Sequence, residues 1–295
     1  MSPAGPELSV FVQGYWRMDE WGMNPQQRLR FIKQHVELGI STVDHAAVYG
    51  SPACELLFGE ALKLDPSLRA DIEIISKCGI NLAGAETNNK IAHYESTKKR
   101  IVASVDKSLS QLGVDYPDGL LIHRPDFLMD ADEIAQVFSD LSISGKVKYF
   151  GVSNFTPSQV SLLQSRLNEP LLTNQVEINP LNMQVIEDGT LDQLQQMRVR
   201  PLAWSCLAGG RVFTEQSEQM LRLRTTLAEL ADELGGASME AILYAWTRKL
   251  PSNPLVLLGS GKINRTQIAL ESLDLSLTHE QWYRVWVASK GQDVP

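Results

Sequence analysis

Short runs of aliphatic and β-branched residues alternate along this chain with longer stretches whose apolar positions recur every three or four residues. The first pattern suits buried strands and the second suits amphipathic helices. The first strand is predicted over 9–13, ending at Gly14-Tyr15-Trp16. Asn24-Pro25 then offers a helix start with proline at the first helical position, and Leu29, Ile32, Val36 and Leu38 follow up to Gly39. A second strand runs through Ser41-Thr42-Val43 into Asp44, with Tyr49 just beyond it, and Gly50 and Pro52 break the backbone there. Helix 55–64 ends at Asp65-Pro66, and strand 72–77 leads into a long polar connection over 79–94. A connection of that length in a compact chain is usually functional or mobile.

The pattern then continues as helix 96–112 closing at Gly113, strand 119–123, helix 131–144 and strand 149–153. A helix opening at Thr156-Pro157, strand 172–177, a helix carrying Leu191, Leu194 and Met197, and strand 201–204 follow. Helices 221–234 and 239–249 precede strand 255–258, and helices 265–273 and 279–290 finish the chain. Eight strand-then-helix units argue for the α/β class, with a parallel sheet joined by crossover helices. No linker-like break in composition divides the 295 residues. The expectation is therefore one closed (β/α)8 TIM barrel over 1–295, with an accessory C-terminal helix, rather than two doubly wound domains.

Composition narrows the function. A hydrophobic fraction of 43% is enough for a large core, and a net charge of -8 counts against a nucleic-acid or anionic-membrane partner. Three scattered cysteines, Cys54, Cys78 and Cys206, fit neither a disulfide framework nor metal-ligand spacing. His45 and His123 lack a third ligand at zinc spacing, so no metal is expected. The first residues lack the basic and apolar regions of a secretory signal, and no apolar run approaches the roughly 18 residues of a membrane span. A cytoplasmic protein acting on a small molecule is expected.

In such a barrel the residues ending the strands gather at one rim, where active sites are built. Here they are Trp16, Asp44 with Tyr49, Lys77, His123, Ser153-Asn154, Gln175 with Glu177, Trp204, and Gly259-Ser260-Gly261-Lys262. Tyr49 is a proton donor whose ordinary pKa of about 10 is high for work near neutrality. An ammonium beside it, Lys77, would lower that pKa, and Asp44 would hold the ammonium in place. His123 would orient a substrate oxygen, and Trp204 would stack a flat ring. Asn154 and Gln175 match a carboxamide. Gly259-Ser260-Gly261 lets backbone N–H groups approach a phosphate at a helix N-terminus, with Lys262 and Arg265 adding positive charge. Alone, that loop is no dinucleotide fingerprint, because Asn264 occupies the third glycine position. Gly145-Lys146 lacks the rest of a P-loop and reads as a helix end.

Taken together, several motifs carry a resemblance. They are 42–50 (Thr-Val-Asp-His-Ala-Ala-Val-Tyr-Gly), Ile75-Ser76-Lys77-Cys78-Gly79, 121–126 (Leu-Ile-His-Arg-Pro-Asp), Phe150 through Phe155 and Asn174-Gln175-Val176-Glu177. From about Gly14 to the last residue the chain resembles the aldo-keto reductase superfamily, most of all its bacterial YdhF-type oxidoreductases. The resemblance implies Asp44, Tyr49, Lys77 and His123 as a catalytic tetrad, with Ser153, Asn154 and Gln175 on the nicotinamide carboxamide. It implies Trp204 as the stacking ring and the loop of Ser205, Leu207, Gly209 and Gly210 over the pyrophosphate. It also implies metal-free reduction of aldehydes or ketones with NADPH (NADP+). Gly259, Ser260, Gly261, Lys262, Arg265, Gln267 and Glu271 would hold the rest of the cofactor, and Lys262 and Arg265 underlie the preference for NADPH over NADH.

Two residues depart from the family. Cys206 stands where proline is common, which would leave that loop flexible or oxidation-sensitive. Arg124 stands where tryptophan is common in the substrate pocket; an arginine there would either favour an anionic or strongly polar substrate or be tied to a nearby acid, and with Trp16 it is assigned to substrate binding. An NADPH-binding regulatory protein on the same barrel, with little turnover, is the alternative reading.

Overall fold

A computed structural model describes all residues of the chain except Ala4, Pro52 and residues 85–88. The backbone break expected at Pro52 lies outside the described residues. Eight parallel strands close on themselves: β1 (Phe11–Gly14), β2 (Thr42–Asp44), β3 (Glu73–Cys78), β4 (Gly119–Ile122), β5 (Tyr149–Ser153), β6 (Asn174–Glu177), β7 (Leu202–Trp204) and β8 (Leu255–Leu258). Each pairs with the next, and β8 closes on β1 through Phe11↔Val256, Val12↔Leu257 and Gln13↔Leu258. The helices of eight or more residues are α1 (Pro25–Glu37), α2 (Cys54–Leu62), α3 (Lys98–Leu112), α4 (Ala131–Ile143) and α5 (Pro157–Gln164). They continue as α6 (Thr190–Met197), α7 (Glu218–Glu233), α8 (Met239–Arg248), α9 (Ile263–Glu271) and α10 (His279–Lys290). The molecule is the (β/α)8 TIM barrel that the alternation predicts, with α10 as its accessory C-terminal helix.

Local chemistry explains the helix starts. Asn24, Thr156 and Thr278 each close a capping box with the glutamine three residues on, Gln27, Gln159 and Gln281. Pro25 and Pro157 take the first helical positions, where no N–H is needed. The start of α9 is less well predicted: the helix begins at Ile263, two residues before its expected start. The polar connection is only partly irregular. Ile80–Asn81 and His93–Tyr94 form a short antiparallel pair, and residues 85–88 between them lie outside the described residues.

The strand pleat sends alternate residues inward and outward. Val12, Ile75, Leu121, Leu172, Leu202 and Leu255 meet as one buried cluster, with Leu8 packed against it. Outward residues such as Val43, Ile74, Leu120, Val152, Ala203 and Val256 pack beneath the helices. Two steps along from Ile75, the same inward row delivers Lys77 toward the C-terminal end of the barrel. Asp44 and Lys77 thus enter the barrel where their strands finish, while at the opposite end Thr42 donates to Glu73 at 3.0 Å.

Candidate active site

Asp44 ends β2 and Lys77 is the penultimate residue of β3, the strand beside it. Both side chains are buried, at 1% and 0% exposure. Lys77 Nζ donates to Asp44 Oδ2 at 2.8 Å, to the His45 carbonyl at 2.8 Å and to the Tyr49 hydroxyl at 2.7 Å. An ammonium has three N–H groups, so every donor is used. The other carboxylate oxygen, Asp44 Oδ1, accepts from Gln175 Nε2 at 2.8 Å. Removing two charges from water costs several kcal/mol, and such a pair survives only when its remaining donors and acceptors are met, as here.

The Tyr49 oxygen accepts from Lys77 and keeps its own proton, whose nearest acceptor, Asp44 Oδ2, is a long 3.5 Å away. The expectation that Lys77 lowers the phenol's pKa is not met. Burial first, and the Asp44 carboxylate second, push it well above its ordinary value, with Arg124 pulling the other way. Lys77 is itself drawn down by burial, against which Asp44 holds the proton on. His123, just past β4, sets its ring edge-on to Tyr49 with centroids 5.8 Å apart. Burial, then Lys77 and Arg124, holds its pKa well below the usual histidine range, so the ring is neutral. Its Nδ1 is buried and has no hydrogen-bond partner among the described residues.

The next strand ends form a linked shelf. Ser153 Oγ donates to the Gln175 carbonyl at 2.8 Å and accepts from Asn154 Nδ2 at 2.8 Å. Asn154 Nδ2 also donates to the His123 carbonyl at 3.4 Å, and its Oδ1 accepts from Trp204 Nε1 at 3.2 Å. The indole is thereby fixed beside the amide pair. Glu177 accepts from Asn179 and Asn182, so it caps a strand end.

Beyond Trp204 the backbone is held in uncommon conformations. Asn154, Ser205 and Ala208 have φ of 60°, 59° and 50°, a left-handed cluster of non-glycine residues of the kind that gathers at functional sites. Gly209 and Gly210 follow at 65° and 87°, and a side chain added at either, or at Gly259 after β8, would meet nothing within 4 Å. This bare backbone fits a diphosphate.

Some sequence-assigned residues do other work. Gly261 faces the Trp21 ring, where an added Cβ would lie 2.6 Å from the indole, so its small size serves packing. Leu207 packs against the core, although its carbonyl, bonded to Gly210 N at 2.9 Å, shapes the loop. Cys206 is 2% exposed, donates to the Ala203 carbonyl at 3.4 Å and has a pKa pushed up to about 12 by burial, so the expected oxidation-sensitive position is a core thiol. Ser260 Oγ accepts from Lys262 N at 3.2 Å. The side chains of Lys262, Arg265, Gln267 and Glu271 are exposed at the start of α9 and along it. Trp16, 64% exposed, and the half-buried Arg124 stand at the ends of β1 and β4.

Sequence reasoning missed two parts of this site. The His45 carbonyl that completes Lys77 leaves no side-chain signal, and neither does the choice of Gln175 Nε2 for Asp44. No cluster of three metal-ligating side chains exists among the described residues. Among the described residues no helix is long and apolar enough to cross a membrane.

The chain's similarities agree with this geometry. It is 54% identical to the oxidoreductase YdhF of Escherichia coli K12, over 100% of this chain and 98% of that protein. It is 37% identical to a 6-dehydroglucose reductase of Agrobacterium fabrum, over 98% and 96% of the two chains. The fold superimposes on a glycerol dehydrogenase from Gluconobacter oxydans with a TM-score of 0.85 at 24% identity, covering 100% of this chain and 97% of that one. The model of the aldo/keto reductase family matches residues 11–288. The chain belongs to the aldo/keto reductase family and is an NAD(P)H-dependent oxidoreductase.

Proposed function

We propose that the protein reduces aldehydes or ketones with NADPH in the cytoplasm, with Tyr49 as the proton donor. The observation that carries this reading is the Lys77 ammonium joined at once to Asp44 and to the Tyr49 oxygen. NADPH, when bound, would supply the hydride for the carbonyl carbon. Tyr49, whose hydroxyl keeps its proton, passes it to the carbonyl oxygen as negative charge grows there. The phenolate left behind sits 2.7 Å from Lys77 Nζ, a charge-assisted bond that strengthens as the proton leaves. A neutral His123 orients the carbonyl oxygen without competing as an acid.

Cofactor roles follow the same surface. Trp204 stacks the nicotinamide, and Ser153, Asn154 and Gln175 meet its carboxamide. Ser205, Gly209, Gly210 and Gly259 accommodate the pyrophosphate, supported by the open space over those glycines. Ser260 and Gly261 shape that loop, and Gln267 and Glu271 lie on the adenosine side. Lys262 and Arg265 pair with the 2′-phosphate that distinguishes NADPH. Trp16 and Arg124 border the substrate. The reductase named among the relatives fits a reductive direction. NADPH oxidation followed across a panel of aldehydes, ketones and quinones, with Tyr49→Phe as the blank, tests the reading. No turnover with any carbonyl, alongside tight NADPH binding, would leave the cofactor-sensing alternative.

A further inference from the structure

We infer that the substrates of this site are carbonyl compounds bearing an oxyanion, a carboxylate or a phosphate ester, and that Arg124 selects them. The inference rests on the reductase reading and names its substrate class.

Arg124 directly follows His123 at the end of β4, is half-buried, and places its guanidinium 5.8 Å from the centre of the Trp204 ring. It thus lies between the imidazole that would orient the carbonyl and the indole that would carry the nicotinamide. Its charge is felt at both Tyr49 and His123. Yet its side chain makes no hydrogen bond or ion pair among the described residues.

Several other arginines withdrawn from water are tied down, whereas half-buried Arg100, on α3, also lacks a side-chain hydrogen bond but lies away from the strand ends. Arg28 holds Glu60 at 2.7 Å, Arg69 holds Asp118 at 2.8 Å, and Arg248 donates to the Ser272 carbonyl at 2.9 Å. The acids near Arg124 are already committed. Asp126 accepts from Ser96 N and Leu128 N, Asp44 from Lys77 and Gln175, and Glu177 from Asn179 and Asn182. Arg124 is therefore a half-buried cation without a protein counterion, set beside Trp204 at the rim where the strands end. A guanidinium is a planar fork matched to two oxygens of a carboxylate or phosphate, and weak hydration makes that pairing stronger than at an open surface. Phe127 and Leu128, three and four residues on, are exposed apolar side chains on the same loop.

Matched para-substituted benzaldehydes test this with size held nearly constant. The carboxylate arm compares 4-carboxybenzaldehyde with its methyl ester, and the phosphate arm compares 4-formylphenyl phosphate with the neutral 4-formylphenyl methanesulfonate. The natural protein is expected to favour the charged member of at least one pair in kcat/KM. Arg124→Met should lower that charged-to-neutral ratio by about tenfold or more, chiefly through KM, while Arg124→Lys keeps part of it. Because the readout is a ratio, a general loss shared by both members does not count. Binding of benzoate against benzamide, read by protein fluorescence, supplies a measure independent of turnover, with the same expected loss in Arg124→Met. Ratios unchanged by Arg124→Met, or neutral members favoured in both arms, overturn the inference. Failure of every carbonyl to turn over, with the benzoate preference intact, would sink the reductase reading instead. Arg124 has no protein partner to orphan, so the variant should fold.

Discussion

On one side of the barrel mouth, Lys77 and Asp44 are withdrawn from water and every donor of the ammonium is matched. On the other, Lys262, Arg265, Gln267 and Glu271 extend from the end of the last strand and α9 into open solvent. Both regions are polar and close an α/β barrel at the same end. The first region is set before any ligand arrives, as stabilising a transient charge requires, because dipoles already aimed need no reorganisation during reaction. On the proposed reading the second is left for a ligand to organise, since a dinucleotide must enter and leave. Disturbing the first should therefore cost rate and stability, and disturbing the second should cost affinity alone.

Lys77→Met is the strongest test. It leaves Asp44 charged in an apolar setting, so it should both abolish turnover and destabilise the fold by about 3–5 kcal/mol in a denaturant titration. Tyr49→Phe should cut kcat by about a thousandfold while NADPH still quenches Trp204 fluorescence at nearly the same concentration. A parallel loss of affinity would show that the two regions are not separable.

A pair of glycine variants then divides the open side. Gly261→Ala pushes a methyl to 2.6 Å from Trp21, so it should destabilise by about 1–3 kcal/mol in a thermal melt. Gly259→Ala meets nothing, so stability should hold while NADPH binds more weakly. Lys262→Ala and Arg265→Ala should each weaken NADPH by about tenfold and barely change NADH, read as a ratio of dissociation constants. A last test concerns acid. Buried His45 has a pKa pushed down to about 3, below an unfolded value of about 6.5. As pH falls through 6.5 the unfolded chain takes up a proton that folded His45 refuses until about pH 3, so stability falls across that window. The slope from this group is at most about 1.4 kcal/mol per pH unit, and His45→Phe should flatten the acid limb of a pH–melting curve.

Much of this was legible in the chain itself, because strand periodicity fixes which residues end at the rim. An acid, a phenol, an amine and an imidazole closing consecutive strands need only the barrel to bring them together, and β2, β3 and β4 do lie side by side. What stayed hidden depends on packing between distant segments. Gly261 looked like phosphate-loop backbone because nothing nearby in sequence announces Trp21. The rise in the Tyr49 pKa reflects how far the phenol is withdrawn from water, a quantity no motif encodes. The same holds for Cys206, whose spacing is that of a loop and whose surroundings are those of a core.

The saturated ammonium has one more consequence. An enzyme that handles aldehydes keeps an amine close to an electrophile that amines attack, and the product of that attack is an imine. Attack needs a free nitrogen lone pair. Lys77, protonated and spoken for at each N–H, presents none, so the amine behind the proposed proton donor Tyr49 is shielded from modification by a bound aldehyde.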